Sequence, residues 1–313
     1  MATVLVTGAA GFIGSHITSA LLAAGHDVRL LDNLTTGHRA NIEPMLAQVD
    51  FRQADLNDAE AVASACKGVE IIFHEAAIPS VPRSVADPVT SHHANLQGTF
   101  SLLEAARQAG VRRIVYAASS SAYGNQPGFP RVETMRPEPV SPYAVQKQVG
   151  ELYLQSYWRV YGLETVCLRY FNIFGPRQDP NSPYSGVIAR FAMEMLAGRT
   201  PTIFGDGGQS RDFTYVDNVV SANLLAASAP ADRCAGNVYN VACGEARPLT
   251  DVYWALAKEL DFHEAPVHLP PRAGDVRDSL ADISRAQQDL GYTPLVGFEE
   301  GLARTAAWYR SQR

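Results

Sequence analysis

The residues of this chain best suited to chemistry are a tyrosine and a lysine four positions apart. Tyr143 and Lys147 stand in S-P-Y-A-V-Q-K, where Ser141 followed by Pro142 reads as an N-cap and a first-turn proline opening a helix that runs to about Tyr161. On such a helix the pair shares one face. Only Lys67, Lys147 and Lys258 among the 26 Lys and Arg residues are lysine, so a lysine at this spacing carries information that an arginine would not. A free phenol, with a pKa of about 10, is a weak base at neutrality, but a neighbouring cation favours the phenolate. Tyr143 is therefore the candidate acid and base. Ser119, Ser120 and Ser121 follow a β-rich run at its C-terminal end, where a hydroxyl can share a proton with the phenol. Taken alone, the serines are a polar turn and the Tyr–Lys pair an exposed helix face; their company favours chemistry.

The N-terminal run T-G-A-A-G-F-I-G places Gly8, Gly11 and Gly14 between a first strand and a helix. Glycine at these positions permits a tight turn and lets backbone N–H groups at a helix N-terminus approach a pyrophosphate. Asp32 closes the second strand, where a carboxylate accepts both hydroxyls of an adenosine ribose and repels a 2′-phosphate, so NAD is expected rather than NADP. Arg39 lies farther on and carries little weight against that. Asp55, at the end of the third strand, is placed to meet the adenine amino group.

These residues need a scaffold, and the chain supplies an α/β one. Thr3–Thr7, Asp27–Asp32, Val49–Asp55, Val69–His74, Arg113–Ser119 and Leu163–Tyr170 read as strands that are largely apolar on both faces, separated by segments long enough for crossover helices. That pattern predicts a doubly wound parallel sheet over residues 1–170, with a returning segment at about 213–242 in which Asn218–Ala227 is helical and Val238–Ala242 a strand. Residues 171–313 are then a smaller mixed α/β lobe, rich in Gly, Pro, Asn and Asp, with a helix over Val187–Gly198. A length of 313 residues, 46% hydrophobic against 19% charged, excludes a disordered or fibrous chain. The net charge of −6 offers nucleic acid and anionic membrane no basic field. Cys66, Cys167, Cys234 and Cys243 form no C-x-x-C pair, and no basic leader or long apolar stretch is visible, so a reduced, cytoplasmic protein is expected. His92-His93 reads as a solvated pair and His74-Glu75 lacks the second His of a zinc motif, so no metal is expected.

Together these motifs resemble the extended short-chain dehydrogenase/reductases that act on nucleotide sugars. The resemblance runs through G-x-x-G-x-x-G, Asp32-Asn33-Leu34, His74 to Ala77, Asn95, the serine run with Tyr123-Gly124, Y-x-x-x-K, and Arg169-Tyr170-Phe171-Asn172. It implies that Tyr143 is the general base, that Lys147 holds the nicotinamide ribose and lowers the tyrosine pKa, and that Ser119 is the catalytic Ser or Thr. It implies a cofactor site that adds Phe12, Ile13, Asn33, Leu56, Ala76, Ala77, Asn95 and Tyr170 to the residues above. Glu75 stands where apolar residues or Asn are common in the family. The dehydratases of the family carry an Asp-Glu pair directly after the catalytic Thr, and here those positions are Ser120 and Ser121, so elimination loses its acid and base. The reaction implied is 4-epimerisation through a 4-keto sugar, with NAD tightly bound and recycled.

The same resemblance implies that Arg211 and Arg272 clamp a nucleotide diphosphate with Asn172, and that Ser80, Arg83, Ser120, Ser121, Gln178, Gly186, Val187 and Asp275 line the sugar nucleotide beside Tyr143. Ser80 to Ser84, Arg177 to Asn181 and Gly274 to Ser279 look most like UDP-N-acetylglucosamine 4-epimerases. Ser279 matches a gate residue beside the sugar C2 substituent; Ser leaves room for an acetamido group without excluding UDP-glucose. A UDP-glucuronate 4-epimerase or another nucleotide-sugar 4,6-dehydratase or epimerase is the nearest rival. A non-catalytic NAD or nucleotide-sugar sensor is the alternative from another class, although a sensor has no need of Ser119, Tyr143 and Lys147. The helices Pro88–Ala109 and the one bearing Tyr143 are what this family packs into a four-helix homodimer interface, so a homodimer is expected.

Overall fold

The computed structural model describes residues 2–180, 186–271 and 277–312. Strands β1 (Thr3–Thr7), β2 (Asp27–Asp32), β3 (Asp50–Gln53), β4 (Ile71–His74), β5 (Arg113–Ser119) and β6 (Glu164–Tyr170) join Asn237–Val241 in one parallel sheet, ordered Asn237–Val241, β6, β5, β4, β1, β2, β3. The chain winds outward in both directions from the β1–β4 pair, which leaves a crevice at the C-terminal ends of those two strands. β3 is shorter than expected because Asp55 folds back: its Oδ1 accepts the Asn57 backbone N–H at 2.9 Å, an Asx turn that ends the extended chain.

The strands read as apolar on both faces because both are covered. Val4, Val6, Leu30, Phe73, Val115 and Leu168 belong to a core shared with the helices Phe12–Ala23 and Val216–Ser228. The alternate residues Leu5, Leu31, Ile72, Ile114, Tyr116 and Cys167 pack in the opposite core, beneath Ala59–Cys66, Gly98–Ala109 and Pro142–Tyr161. The last of these begins as its sequence indicates: Ser141 Oγ accepts the Ala144 N–H at 3.2 Å, Pro142 is in the first turn, and Gly162 ends the helix at φ 71°.

A second cluster, built on Phe174, Phe191, Phe213, Tyr253 and Phe298, holds the helices Val187–Leu196, Leu249–Leu260 and Phe298–Ser311. Beside it, Ser210–Asp212 forms a small sheet with Ala246–Pro248 and Asp278–Ser279. The helix Ser284–Leu290 departs from expectation: Ala286, Leu290 and Tyr292 bury against the main sheet's first core rather than in this cluster. Among the described residues, no helix is long and apolar enough to cross a membrane.

Candidate active site

The glycine turn closes against the end of β4. A Cβ on Gly8, whose φ is +67°, would lie 2.6 Å from Ala76 N, and one on Gly14 would lie 2.3 Å from the Gly8 carbonyl oxygen. Gly11 is the N-cap of Phe12–Ala23, and a Cβ there would meet Gly8 O at 3.0 Å. The turn thus works only without side chains, leaving the first N–H groups of a 12-residue helix uncovered. Phe12 packs into the second cluster and Ile13 into the main core, so both fix the turn from behind.

From Gly8 a cleft continues past Asp32, Asn33, Asp55, Leu56, Ala76 and Ala77. Asp32 Oδ2 accepts from Ala10 N at 2.9 Å and Oδ1 from Leu34 N at 2.7 Å; each oxygen keeps a lone pair for a further donor. Burial raises its pKa, and these two N–H groups oppose the rise. Asn33 Nδ2 donates to Asp55 Oδ2 at 2.6 Å. Burial acts to raise the Asp55 carboxyl, but hydrogen bonds from Asn57 and Asn33 outweigh it and hold it below its ordinary value. Arg39 is engaged elsewhere, its Nε 3.0 Å from Glu43. A side-chain-free phosphate cradle leading to an acid at the end of β2 fits NAD.

Ser119 ends β5, and Ser120 and Ser121 lie in the 3-10 turn that follows. Ser119 Oγ accepts from Ser121 Oγ at 2.8 Å, and its side chain acts to lower the pKa of the Tyr143 phenol. Lys147, one helical turn on, is buried; its Nζ donates to Ala117 O at 2.7 Å and lies 4.8 Å from the Tyr116 ring centroid. Burial dominates the electrostatics of the pair. Burial pushes the Tyr143 phenol up to about 12, with Ser119 opposing and the Glu75 charge adding to the rise, and burial pulls Lys147 down to about 8. Burial thus keeps the phenol protonated in the protein alone, and a cation brought by a ligand would favour its phenolate.

Two residues expected at the cofactor also make bonds within the protein. Asn95 sits in a π-helical turn, His93–Gln97, and is buried. Its Oδ1 accepts from Ile78 N at 2.6 Å and its Nδ2 donates to Gln146 Oε1 at 2.9 Å. Asn95 thereby fixes Ile78, which lines the cleft. The Tyr170 hydroxyl likewise donates to Glu75 Oε1 at 2.9 Å and accepts from Asn223 Nδ2 at 2.8 Å.

Asn172, Gln178, Gly186, Val187 and Arg211 line one cleft of the second lobe. Arg211 Nη1 donates to Ser210 O at 2.8 Å, and Ser279 stands opposite Arg211 in the small sheet. Arg272 and Asp275 lie outside the described residues. Ser80 is the buried N-cap of Val81–Ala86, accepting from the backbone N–H of Arg83 at 3.1 Å. Sequence reasoning quoted Ser84 without a role; its Oγ accepts the Tyr143 backbone N–H at 3.1 Å and ties the two helices together. Asp212, beside Arg211, was missed too: it accepts from Cys243 N, Gly244 N and Ala281 N, at 2.9, 3.0 and 3.2 Å, and so gathers the small sheet. The R-D dipeptide was the available signal.

A family model described as the NAD dependent epimerase/dehydratase family matches residues 4–242. UDP-glucose 4-epimerase of Mycolicibacterium smegmatis is 42% identical over 312 residues, covering 98% of each chain. The structure of UDP-N-acetylglucosamine 4-epimerase from Methanobrevibacter ruminantium, in complex with UDP-N-acetylmuramic acid, is similar with a TM-score of 0.94 at 39% identity, over 100% of this chain and 99% of that one. UDP-glucose 4-epimerase from Thermus thermophilus, in complex with NAD, gives a TM-score of 0.90 at 41% identity, over 99% and 100%.

Proposed function

Because the chain belongs to the NAD-dependent epimerase/dehydratase family, with NAD as cofactor, we propose that it is a UDP-sugar 4-epimerase that interconverts UDP-N-acetylglucosamine and UDP-N-acetylgalactosamine, and also accepts UDP-glucose and UDP-galactose. The observation that carries the reading is the placing of Tyr143 and Lys147 on one helix against the C-terminal end of β5, where Lys147 Nζ donates to Ala117 O and Ser119 ends the strand, with the glycine turn and the Arg211 cleft beside them.

NAD, when bound, would supply a reversible hydride acceptor for the sugar C4. In this reading Tyr143 accepts the O4 proton as the carbonyl forms and returns it after the 4-keto sugar has turned over in the site. Ser119, at the end of β5 beside the phenol, holds O4 in line and shares the proton. Lys147 keeps a positive charge beneath them, fixed by Ala117 O. Asn172 and Arg211 hold the diphosphate through charge-assisted bonds while the sugar rotates. Retention of the diphosphate is what allows both faces of C4 to be presented without loss of the ketone.

The acetamido preference rests on Ser279, whose place opposite Arg211 sets it beside the arginine assigned to the diphosphate. Wild-type protein is expected to turn over both UDP-N-acetylglucosamine and UDP-glucose. Ser279→Tyr should suppress the acetamido sugar at least ~10-fold more than UDP-glucose, since steric exclusion from a filled pocket is worth ~1–3 kcal/mol. Equal losses on the two sugars, measured as kcat/KM, would remove Ser279 from the gate.

We also read the protein as a homodimer. Val89, Val145, Leu152 and Val160 are 65, 44, 54 and 66% exposed on the packed helices that span 88–109 and 142–161, an apolar surface that a second copy would cover. Leu152→Glu is expected to give a folded monomer by light scattering. Wild-type protein that already runs as a monomer would contradict the dimer.

A further inference from the structure

Glu75 is a carboxyl that the chemistry above leaves without a task. It follows β4 directly, its backbone N–H donating to Thr7 O at 3.2 Å. Its carbonyl carbon is 2.8 Å from where a Gly8 Cβ would stand, so the residue abuts the glycine turn. Its side chain reaches the other way: Oε1 accepts the Tyr170 hydroxyl, which ends β6, and Asn223 from the helix Val216–Ser228 secures that hydroxyl in turn. The carboxyl therefore spans from the end of β4 to the end of β6, past β5 and its terminal Ser119.

The groups that face it are few. Tyr143 and Lys147 feel its charge from the helix Pro142–Tyr161, and Tyr170 donates to it from β6. His74, its neighbour in sequence, adds no charge: Nδ1 lies 2.7 Å from Thr7 Oγ1, Nε2 lies 2.9 Å from Thr99 Oγ1, and burial pulls its pKa down to about 3. An ionised Glu75 opposes the Tyr143 phenolate, which is a cost to the proton relay if the relay were its only concern. A dinucleotide that runs from the glycine turn to Tyr143 passes over this carboxyl, and its oxidised nicotinamide is cationic whereas the reduced ring is neutral.

We propose that Glu75 supplies the counter-charge for the oxidised nicotinamide, so that the protein holds NAD+ in preference to NADH. This rests on the epimerase reading for its purpose: an anion beneath the ring favours return of the hydride to the 4-keto sugar, keeping the ketone short-lived and the cofactor in its starting state. Lys147 acts in the opposite sense, and the two charges set the balance between taking the hydride and returning it. Burial pushes the Glu75 carboxyl up to about 7, with the Tyr170 hydrogen bond and Lys147 opposing. Near neutrality the arrival of a cationic ring should therefore displace a proton from Glu75, and that of a neutral ring should not.

The test is calorimetric titration of full-length protein, freed of cofactor, with NAD+ and with NADH, in two buffers of different ionisation enthalpy at pH 7. Glu75→Gln is expected to weaken NAD+ by about 10-fold and NADH by less than about 3-fold, and to abolish the proton release predicted for NAD+ in the wild type. Glu75→Asp should restore part of the NAD+ preference, and Tyr170→Phe, which keeps the carboxyl, should retain it. Equal weakening of both cofactor forms by Glu75→Gln, or an unchanged ratio, would overturn the proposal. Sugar turnover plays no part in this readout. An unchanged ratio in a working epimerase sinks only the inference, while a shifted ratio in a protein that converts no sugar sinks the epimerase reading instead.

Discussion

Tyr143→Phe is expected to lower turnover by ~10³-fold or more and to leave UDP-sugar affinity within a few-fold of wild type. The substitution removes one oxygen. The ring stays in place, the Ser84 bond to the Tyr143 backbone is untouched, and the cleft around Asn172 and Arg211 draws nothing from the phenol. In the proposed mechanism this hydroxyl takes the O4 proton, so its loss should appear in kcat rather than in KM. Ser119→Ala should cost less, because Tyr143 can still act without the serine hydroxyl. Single-turnover rates and equilibrium dialysis of the nucleotide sugar separate the two quantities. Turnover of Tyr143→Phe at the wild-type rate would move the acid–base role to another residue.

Gly8→Ala should lower NAD affinity by ~100-fold or more, in a protein that is still folded. The added methyl would lie 2.6 Å from Ala76 N and 2.7 Å from its Cα, both backbone atoms, so no flexible side chain can yield. Either the turn opens or the end of β4 moves, and both form the cradle. Gly8 also sits at φ +67°, where an L side chain costs about 1–2 kcal/mol. Gly25 separates strain from function: its φ is +78° but nothing lies within 4 Å of its missing Cβ. Gly25→Ala should thus share the loss of stability without the loss of cofactor. If both variants bound NAD equally well, the glycine turn would have no special part in holding it.

The fold was legible where one physical rule acts locally. Strands such as Arg113–Ser119 were readable because a buried parallel strand is apolar on both faces, and the Tyr143 helix because Ser141-Pro142 and Gly162 mark its ends. The glycine turn could be read because only glycine fits its spacing. What stayed hidden depends on long-range contacts. Asn95 looks like any polar residue on a helix until Ile78 and Gln146 close on it. The helix Ser284–Leu290 carries no sign that its apolar face meets the main sheet rather than the nearer cluster. Asp212, pushed up to about 6 by burial and held by three backbone N–H groups, gathers segments far apart in the chain. Such partners have no periodicity, so composition and spacing cannot announce them.

The most direct measurement of the central claim is proton NMR of UDP-N-acetylglucosamine incubated with purified protein in D2O, without added cofactor. The account predicts that the C4 epimer accumulates with protium retained at C4, since the hydrogen leaves and returns as hydride within the site. Deuterium at C4, or no epimer of this sugar or of UDP-glucose even after NAD is supplied, would contradict it.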